Sequence, residues 1–252
     1  MRNITVTCLV LAGLSSAPAL AETAFDGFYL GGVIGAQLNT SGTAETLGTA
    51  GFLGLPATIA PRELSLGGAG IQGGLVTGYN FSSGSLVYGL EADLIFGDIN
   101  GEDSFSGAGI PGLAPDGLTT SASRSLGTRG SFRARLGTTV GESALLYVTG
   151  GAAVANASGA ASVVVNGAPG VNWAGAVDQT RWGWTVGAGA EFKLSSAISL
   201  RGEYLYTGLG TQTVTALGNA TVRSVPALNG IDYVVGLPYS GGALRAGVIF
   251  RF

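Results

Sequence analysis

The sequence predicts an all-β fold, an eight-stranded antiparallel transmembrane β-barrel with long extracellular loops and short periplasmic turns. Three observations carry that expectation. Charged residues are only 11% of a chain that holds 45 glycines and has a mean hydropathy of +0.42, whereas a soluble domain carries about 25% charged residues. Several segments alternate apolar and polar side chains with a period of two, the pattern of a strand with one oily face and one wet face. The connections between those segments alternate between short and long, as they do when short turns face the periplasm and long loops face outward.

The first segment is of another kind. Arg2 precedes an uncharged apolar run, Ile4 to Leu14, which Pro18 closes before the small residues of Ala19-Leu20-Ala21. This is the layout of a cleaved secretory signal peptide, and the run is shorter than the roughly 18 residues a membrane anchor needs. Residues 1–21 are therefore expected to be a signal peptide and residues 22–252 the barrel domain. The single cysteine, Cys8, lies in the leader, so disulfides and thiol chemistry are not expected in the mature chain. Cleavage would leave 11 basic against 15 acidic residues, with no basic run, which argues against nucleic acid as a partner.

Eight strands follow in order, at about Gly27–Leu38, Ile71–Phe81, Ser85–Phe96, Leu126–Val140, Ala144–Ala155, Arg181–Leu194, Ala197–Thr207 and Gly242–Phe252. The first, second and fifth alternate weakly, and their faces stay unassigned. In the third, Tyr88, Leu90, Ala92, Leu94 and Phe96 oppose Gly89, Glu91 and Asp93. In the fourth, Phe132, Ala134 and Leu136 oppose Ser131, Arg133 and Arg135. The sixth sets Trp182, Trp184, Val186, Ala188, Ala190, Phe192 and Leu194 against Thr185, Glu191 and Lys193. The seventh sets Ile198, Leu200, Tyr204 and Tyr206 against Arg201 and Glu203, and the eighth sets Leu244, Val248, Phe250 and Phe252 against Arg245 and Arg251. A one-residue slip of the third strand would aim Glu91 and Asp93 at lipid, so the charges fix the register.

Helices are the other structure that can span lipid. The uncharged stretch from Ser143 to Val177 is the best candidate, but Gly150-Gly151, Asn156, Gly159, Gly167, Pro169 and Gly170 interrupt every helical window. A soluble β-sandwich would also alternate, but with more charge on its solvent face and fewer glycines. Turns are expected near Ser82-Ser83-Gly84, Gly141-Glu142 and Ser195-Ser196. The connections at about 39–70, 97–125, 156–180 and 208–241 are expected to be long loops without regular structure.

An eight-stranded barrel is only wide enough for side chains to fill it. Its interior is expected to hold Glu91, Asp93, Glu191 and Glu203 with Arg133, Arg135, Lys193, Arg201, Arg245 and Arg251 as a paired network, since lone buried charges are costly. Two readings of that set stand, structural filling and a selective narrow pore, with filling preferred. No histidine is present to act as a base for a serine nucleophile, and the loop acids Asp98, Glu102 and Asp103 lack calcium-ligand spacing. Neither an enzyme nor a cofactor is expected.

Several segments are similar to those of a known family. Phe25-Asp26-Gly27-Phe28-Tyr29-Leu30-Gly31-Gly32 resembles the opening strand of the small outer-membrane β-barrels labelled "porin family protein", which include surface antigens and are related to OmpA-like transmembrane barrels. Gly78-Tyr79-Asn80-Phe81, Tyr88-Gly89-Leu90-Glu91-Ala92-Asp93, Arg133-Ala134-Arg135-Leu136-Gly137 and Leu145-Leu146-Tyr147-Val148 resemble its next strands. Gly183-Trp184-Thr185-Val186-Gly187, Leu200-Arg201-Gly202-Glu203-Tyr204 and the ending Arg245-Ala246-Gly247-Val248-Ile249-Phe250-Arg251-Phe252 resemble the later ones. Phe25 stands where a Trp is common. The resemblance implies the outer membrane of a Gram-negative bacterium, with outer-membrane lipids as partners. It also implies the barrel-assembly machinery as a partner during insertion, with Phe250 and Phe252 as its signal. The expected role is a structural envelope protein with displayed loops; a narrow channel for small solutes or ions, or an adhesin, are the alternatives. The resemblance does not extend to the loops, so it names no loop ligand.

Overall fold

The computed structural model describes residues 24–38, 42–47, 50–112 and 114–252; the expected signal peptide lies outside them. In chain order its elements are β1 (Gly27–Leu38), β2 (Gly42–Thr46), α1 (Ala50–Leu53), β3 (Glu63–Leu66), β4 (Gly70–Ser83), β5 (Leu86–Phe96), β6 (Ile99–Ser106), β7 (Leu118–Val140), β8 (Ala144–Val165), β9 (Asn172–Lys193), β10 (Ile198–Gly218), α2 (Ala220–Ser224) and β11 (Tyr233–Arg251). Eight of the strands close a ring in the order β1-β4-β5-β7-β8-β9-β10-β11. The closing pair is antiparallel, from Tyr29 opposite Arg251 to Leu38 opposite Gly242. A closed ring leaves no unpaired edge, which is what a lipid environment requires of strands.

At one end the ring turns tightly. Gly84 and Gly141 take φ of +62° in the β4–β5 and β7–β8 turns, a left-handed conformation that glycine adopts without strain. Outward side chains form an oily belt: Leu90 is 50% exposed, Phe132 58% and Ile34 72%. Aromatic residues border it at both ends. Phe28, Phe81, Tyr88 and Phe252 lie toward the tight turns, with Phe81 and Tyr88 stacked at 5.6 Å and Phe28 6.0 Å from Phe252. Trp182, Trp184 and Tyr206 lie toward the other end, with Trp184 and Tyr206 rings 5.6 Å apart. Such paired girdles mark the two membrane interfaces of a barrel.

Three strands with weak alternation in sequence receive their faces here. Tyr29 and Val33 point inward from β1, Val76 and Asn80 from β4, and Leu145 and Tyr147 from β8, while Leu30, Leu75 and Leu146 point to lipid. Their inward side is partly apolar, so hydropathy alone could not orient them.

The expectation of unstructured outer loops is corrected. β7 to β10 are 21–23 residues long and β11 is 19, about twice the 9–11 residues needed to cross a membrane. Ladders continue through most of 118–126, 156–165 and 211–218, and β2, β3 and β6 add to the sheet. β3 approaches β6 through the Ser65 amide, which donates to Asp103 Oδ2 at 2.9 Å, and Ala69 bridges to Asn100. The reason is in the side chains. Ala157, Gly159, Ala161 and Val163 face inward while Ser158, Ala160 and Ser162 face outward. That alternation is regular in space and carries almost no hydropathy contrast.

Where the strands leave the lower barrel, the register shifts at Leu126/Arg129 in β7 and at Gly208/Thr211 in β10. Such bulges add local bend and twist. The β9–β10 ladder also lapses between Gly208 and Leu217. Arg181 spans that gap, donating from Nε to the Leu209 carbonyl at 2.9 Å and from Nη2 to that of Thr211 at 3.1 Å.

The outer storey has its own apolar core. Phe52 of α1 meets Trp173 and Tyr233 edge-on, each at 5.3 Å, among Leu66, Val163, Val222 and Leu237. Trp173 Nε1 donates to the Ile231 carbonyl at 2.6 Å. Burial holds the Tyr233 phenol above its usual pKa, so it remains a neutral partner for Thr46.

Candidate functional site: the ion-paired lumen

Period-two alternation on five strands delivers one charged row to the barrel interior, and the register then places opposite charges side by side. Glu91 of β5 lies directly across from Arg133 of β7, Glu191 of β9 from Arg201 of β10, and Glu203 of β10 from Arg245 of β11. Opposed cross-strand charges stabilise a sheet. Each of these three pairs makes contact: Arg133 with Glu91, Arg201 with Glu191 at 3.2 Å and Arg245 with Glu203 at 2.7 Å.

A second set of contacts runs across the lumen between strands that are not neighbours. Arg201 reaches Glu91 at 2.5 Å, Arg135 reaches Glu191 at 2.8 Å, Arg133 reaches Glu203 at 3.3 Å and Arg245 reaches Asp93 at 2.9 Å. Arg133 also lies 3.2 Å from Asp93, and Arg251 lies 2.5 Å from Glu191 while donating to Ser199 Oγ at 3.0 Å. Glu91, Glu191 and Arg133 are at most 1% exposed. In this dry interior an ion pair must be nearly complete to offset the loss of hydration, and removing one partner is far costlier than losing a surface pair.

Lys193 stands apart from the set. It lies on the inward side of β9 near the turn end, half-buried, and makes no ion pair among the described residues. Phe250 and Phe252 lie on the outer face, 45% and 81% exposed.

Two residues central to the lumen were not singled out from sequence. Tyr29 donates to Glu91 Oε2 at 2.6 Å, and Tyr147 to Glu203 Oε2 at 3.0 Å. Tyr147 also lies under Arg135, whose guanidinium carbon is 3.6 Å from the ring centroid. Each tyrosine faces a glycine on the neighbouring strand, Gly78 opposite Tyr29 and Gly189 opposite Tyr147. A Cβ on either glycine would come within 2.4 Å of the phenol oxygen. These glycines are what let the rings lie flat into a narrow barrel, and a tyrosine–glycine pairing is the sequence signal that reveals them.

Above the ion pairs lies a cavity of about 60 Å³, lined in part by Gln37, Gln72, Asp93, Arg129, Ser240 and Arg245. Above that, the apolar core closes the interior. The lumen can neutralise charge and hold the barrel rigid; among the described residues no group of three or more His, Cys, Asp or Glu is placed to hold a metal ion.

Residues 7–252 match the family described as "Outer membrane protein beta-barrel domain". The chain is 31% identical over 163 residues to the 31 kDa outer-membrane immunogenic protein of Brucella melitensis, covering 64% of this chain and 63% of that protein's length. It is 28% identical over 191 residues to the 22 kDa outer membrane protein of Rhizobium leguminosarum, covering 76% and 67% of the two chains. Among solved structures it is similar to OprG of Pseudomonas aeruginosa, with 11% identity, a TM-score of 0.48 and coverage of 93% of this chain and 99% of that one. Lipid-facing belt, closed ring and family match converge: the chain belongs to the outer membrane protein β-barrel domain family and is an outer-membrane protein of a Gram-negative bacterium.

Proposed function

We propose that this protein is a structural component of the envelope, a closed barrel that anchors a rigid, sheet-built surface above the outer leaflet. The observation that supports this reading best is obstruction of the interior at two levels. Nine ion pairs cross the lower lumen, and an apolar core fills the outer storey. A conducting pore would need a continuous wet path, and buried arginine–carboxylate pairs of this geometry resist opening.

Partners follow from the outer surface. Outer-membrane lipids would cover the belt, and the barrel-assembly machinery would meet Phe250 and the 81%-exposed Phe252 during insertion. Display at the cell surface is in keeping with relatives described as outer-membrane immunogenic proteins.

Single-channel recording of the refolded protein in planar bilayers tests the reading. The expected trace shows no conductance steps. Regular open levels that change in Arg133→Ala would replace the envelope role with a channel.

A further inference from the structure

The lower lumen holds more positive charge than its acids offset. Six arginines reach the interior, Arg129 in addition to the five of the ion-pair network, against the four carboxylates Glu91, Asp93, Glu191 and Glu203. Arg129 is the arginine of this set with no carboxylate in contact. Its Nη2 donates to the neutral Gln72 Oε1 at 2.7 Å, and its buried Nη1 has no partner among the described residues. Arg245 holds Asp93 and Glu203 through its Nη atoms, and its buried Nε likewise has no partner.

Both residues line the 60 Å³ cavity, and the charge of Arg245 acts against that of Arg129. The remaining charges around them are accounted for. Asp93 is already held by Ser131, Arg133 and Arg245. Asp98, exposed on the β5–β6 link, is the other acid whose field reaches Arg129. Gln37 and Ser240 add neutral polar groups to the wall. Two cations beside one cavity are costly to bury unless something negative sits near them. A single water needs about 10–15 Å³ of such space, so the cavity has room for roughly four to six waters, or for one small anion with a few of them.

We propose that this chamber is a binding site for one small inorganic anion of halide size, held with a few waters beside Arg129 and Arg245. The anion offsets part of the lumenal charge excess and ties β7 to β11 across the barrel. It makes the barrel's stability depend on which anion is present, independently of ionic strength.

The test is heat-dependent gel mobility of the refolded full chain in a neutral detergent. Sodium chloride is titrated at constant ionic strength against sodium gluconate, a much bulkier anion. The expected result is a saturable rise of several degrees in the unfolding midpoint with chloride, absent in Arg129→Gln. Equal midpoints in the two salts would overturn the proposal and leave water alone in the chamber. A chloride effect kept in full by Arg129→Gln would also overturn it. Should that variant not fold, bromide-soaked crystals of the unaltered protein decide: anomalous density within about 3.5 Å of both guanidiniums supports the site, and its absence overturns it.

Discussion

Replacing Glu91 with glutamine changes almost no volume and removes one negative charge from the centre of the lumen. Glu91 receives hydrogen bonds from Arg133, from Arg201 at 2.5 Å and from Tyr29 at 2.6 Å, all with side chains at most 2% exposed or fully buried. In Glu91→Gln one carbonyl oxygen remains to accept, while the new amide N–H₂ faces a guanidinium. Arg133 keeps Asp93 and Glu203 as partners and Arg201 keeps Glu191, so the loss is partial for each. Breaking a buried pair from one side costs about 3–5 kcal/mol, and this substitution is expected at the lower end, ~3 kcal/mol. Urea unfolding of the protein refolded in lipid vesicles, followed by tryptophan fluorescence and gel mobility, measures it. The double variant Glu91→Gln/Arg201→Gln returns the lumen to its original net charge and should lose less than the sum of the single changes by ~1 kcal/mol or more. A single loss within ~0.5 kcal/mol, the range of an ordinary surface substitution, would refute the reasoning.

Three further outcomes follow from the geometry. Gly78→Ala places a Cβ 2.4 Å from the Tyr29 phenol oxygen and 2.5 Å from the Leu90 carbonyl, and should cost ~1–3 kcal/mol in the same titration. Leu90→Arg, on the lipid face halfway along β5, should cost ~2–4 kcal/mol. Leu217→Arg, 49% exposed in the outer storey, should change stability by less than ~0.5 kcal/mol; equal costs at the two sites would misplace the membrane. Trp173→Ala removes a 4%-exposed ring and its hydrogen bond to Ile231, with an expected local loss of ~3–5 kcal/mol. Protease treatment of intact cells should then cleave the outer storey, while heat-dependent gel mobility still reports an intact lower barrel.

Much of the lower barrel is legible in the sequence because most charged inward residues there sit beside oily outward ones. Glu91 lies between Leu90 and Ala92, and Arg133 between Phe132 and Ala134, so parity alone orients β5 and β7. β1 and β8 escape that logic because Tyr29, Leu145 and Tyr147 point inward; a tyrosine ring packed against a glycine backbone looks apolar in the chain and acts as a hydrogen-bond donor in the fold. The outer storey escapes it for a different reason. Its narrow interior takes Ala and Gly, as at Ala157, Gly159 and Ala161, and its outer face takes Ser and Ala. Small residues on both faces read as loop, while the backbone ladder that defines the strand is invisible to side-chain chemistry. Arg129 shares the parity of Ser131, Arg133 and Arg135 and lies just below the bulge, but its neighbours Thr128 and Gly130 offer no oily contrast, so the alternation fades there in the sequence.

The central claim is a single continuous sheet, oily-faced in lipid and continuing as paired strand into water. A spin-label scan along β7 tests it most directly, with one cysteine at a time from Leu118 to Val140 in a variant otherwise free of cysteine. The account predicts a period of two along the scan, broken only at the bulge after Leu126. Outward sites such as Phe132 and Leu136 should be open to oxygen, and outward sites such as Ser121 and Ser123 to an aqueous nickel reagent. Loss of the period above Leu126, or nickel access at Phe132 and Leu136, would contradict it.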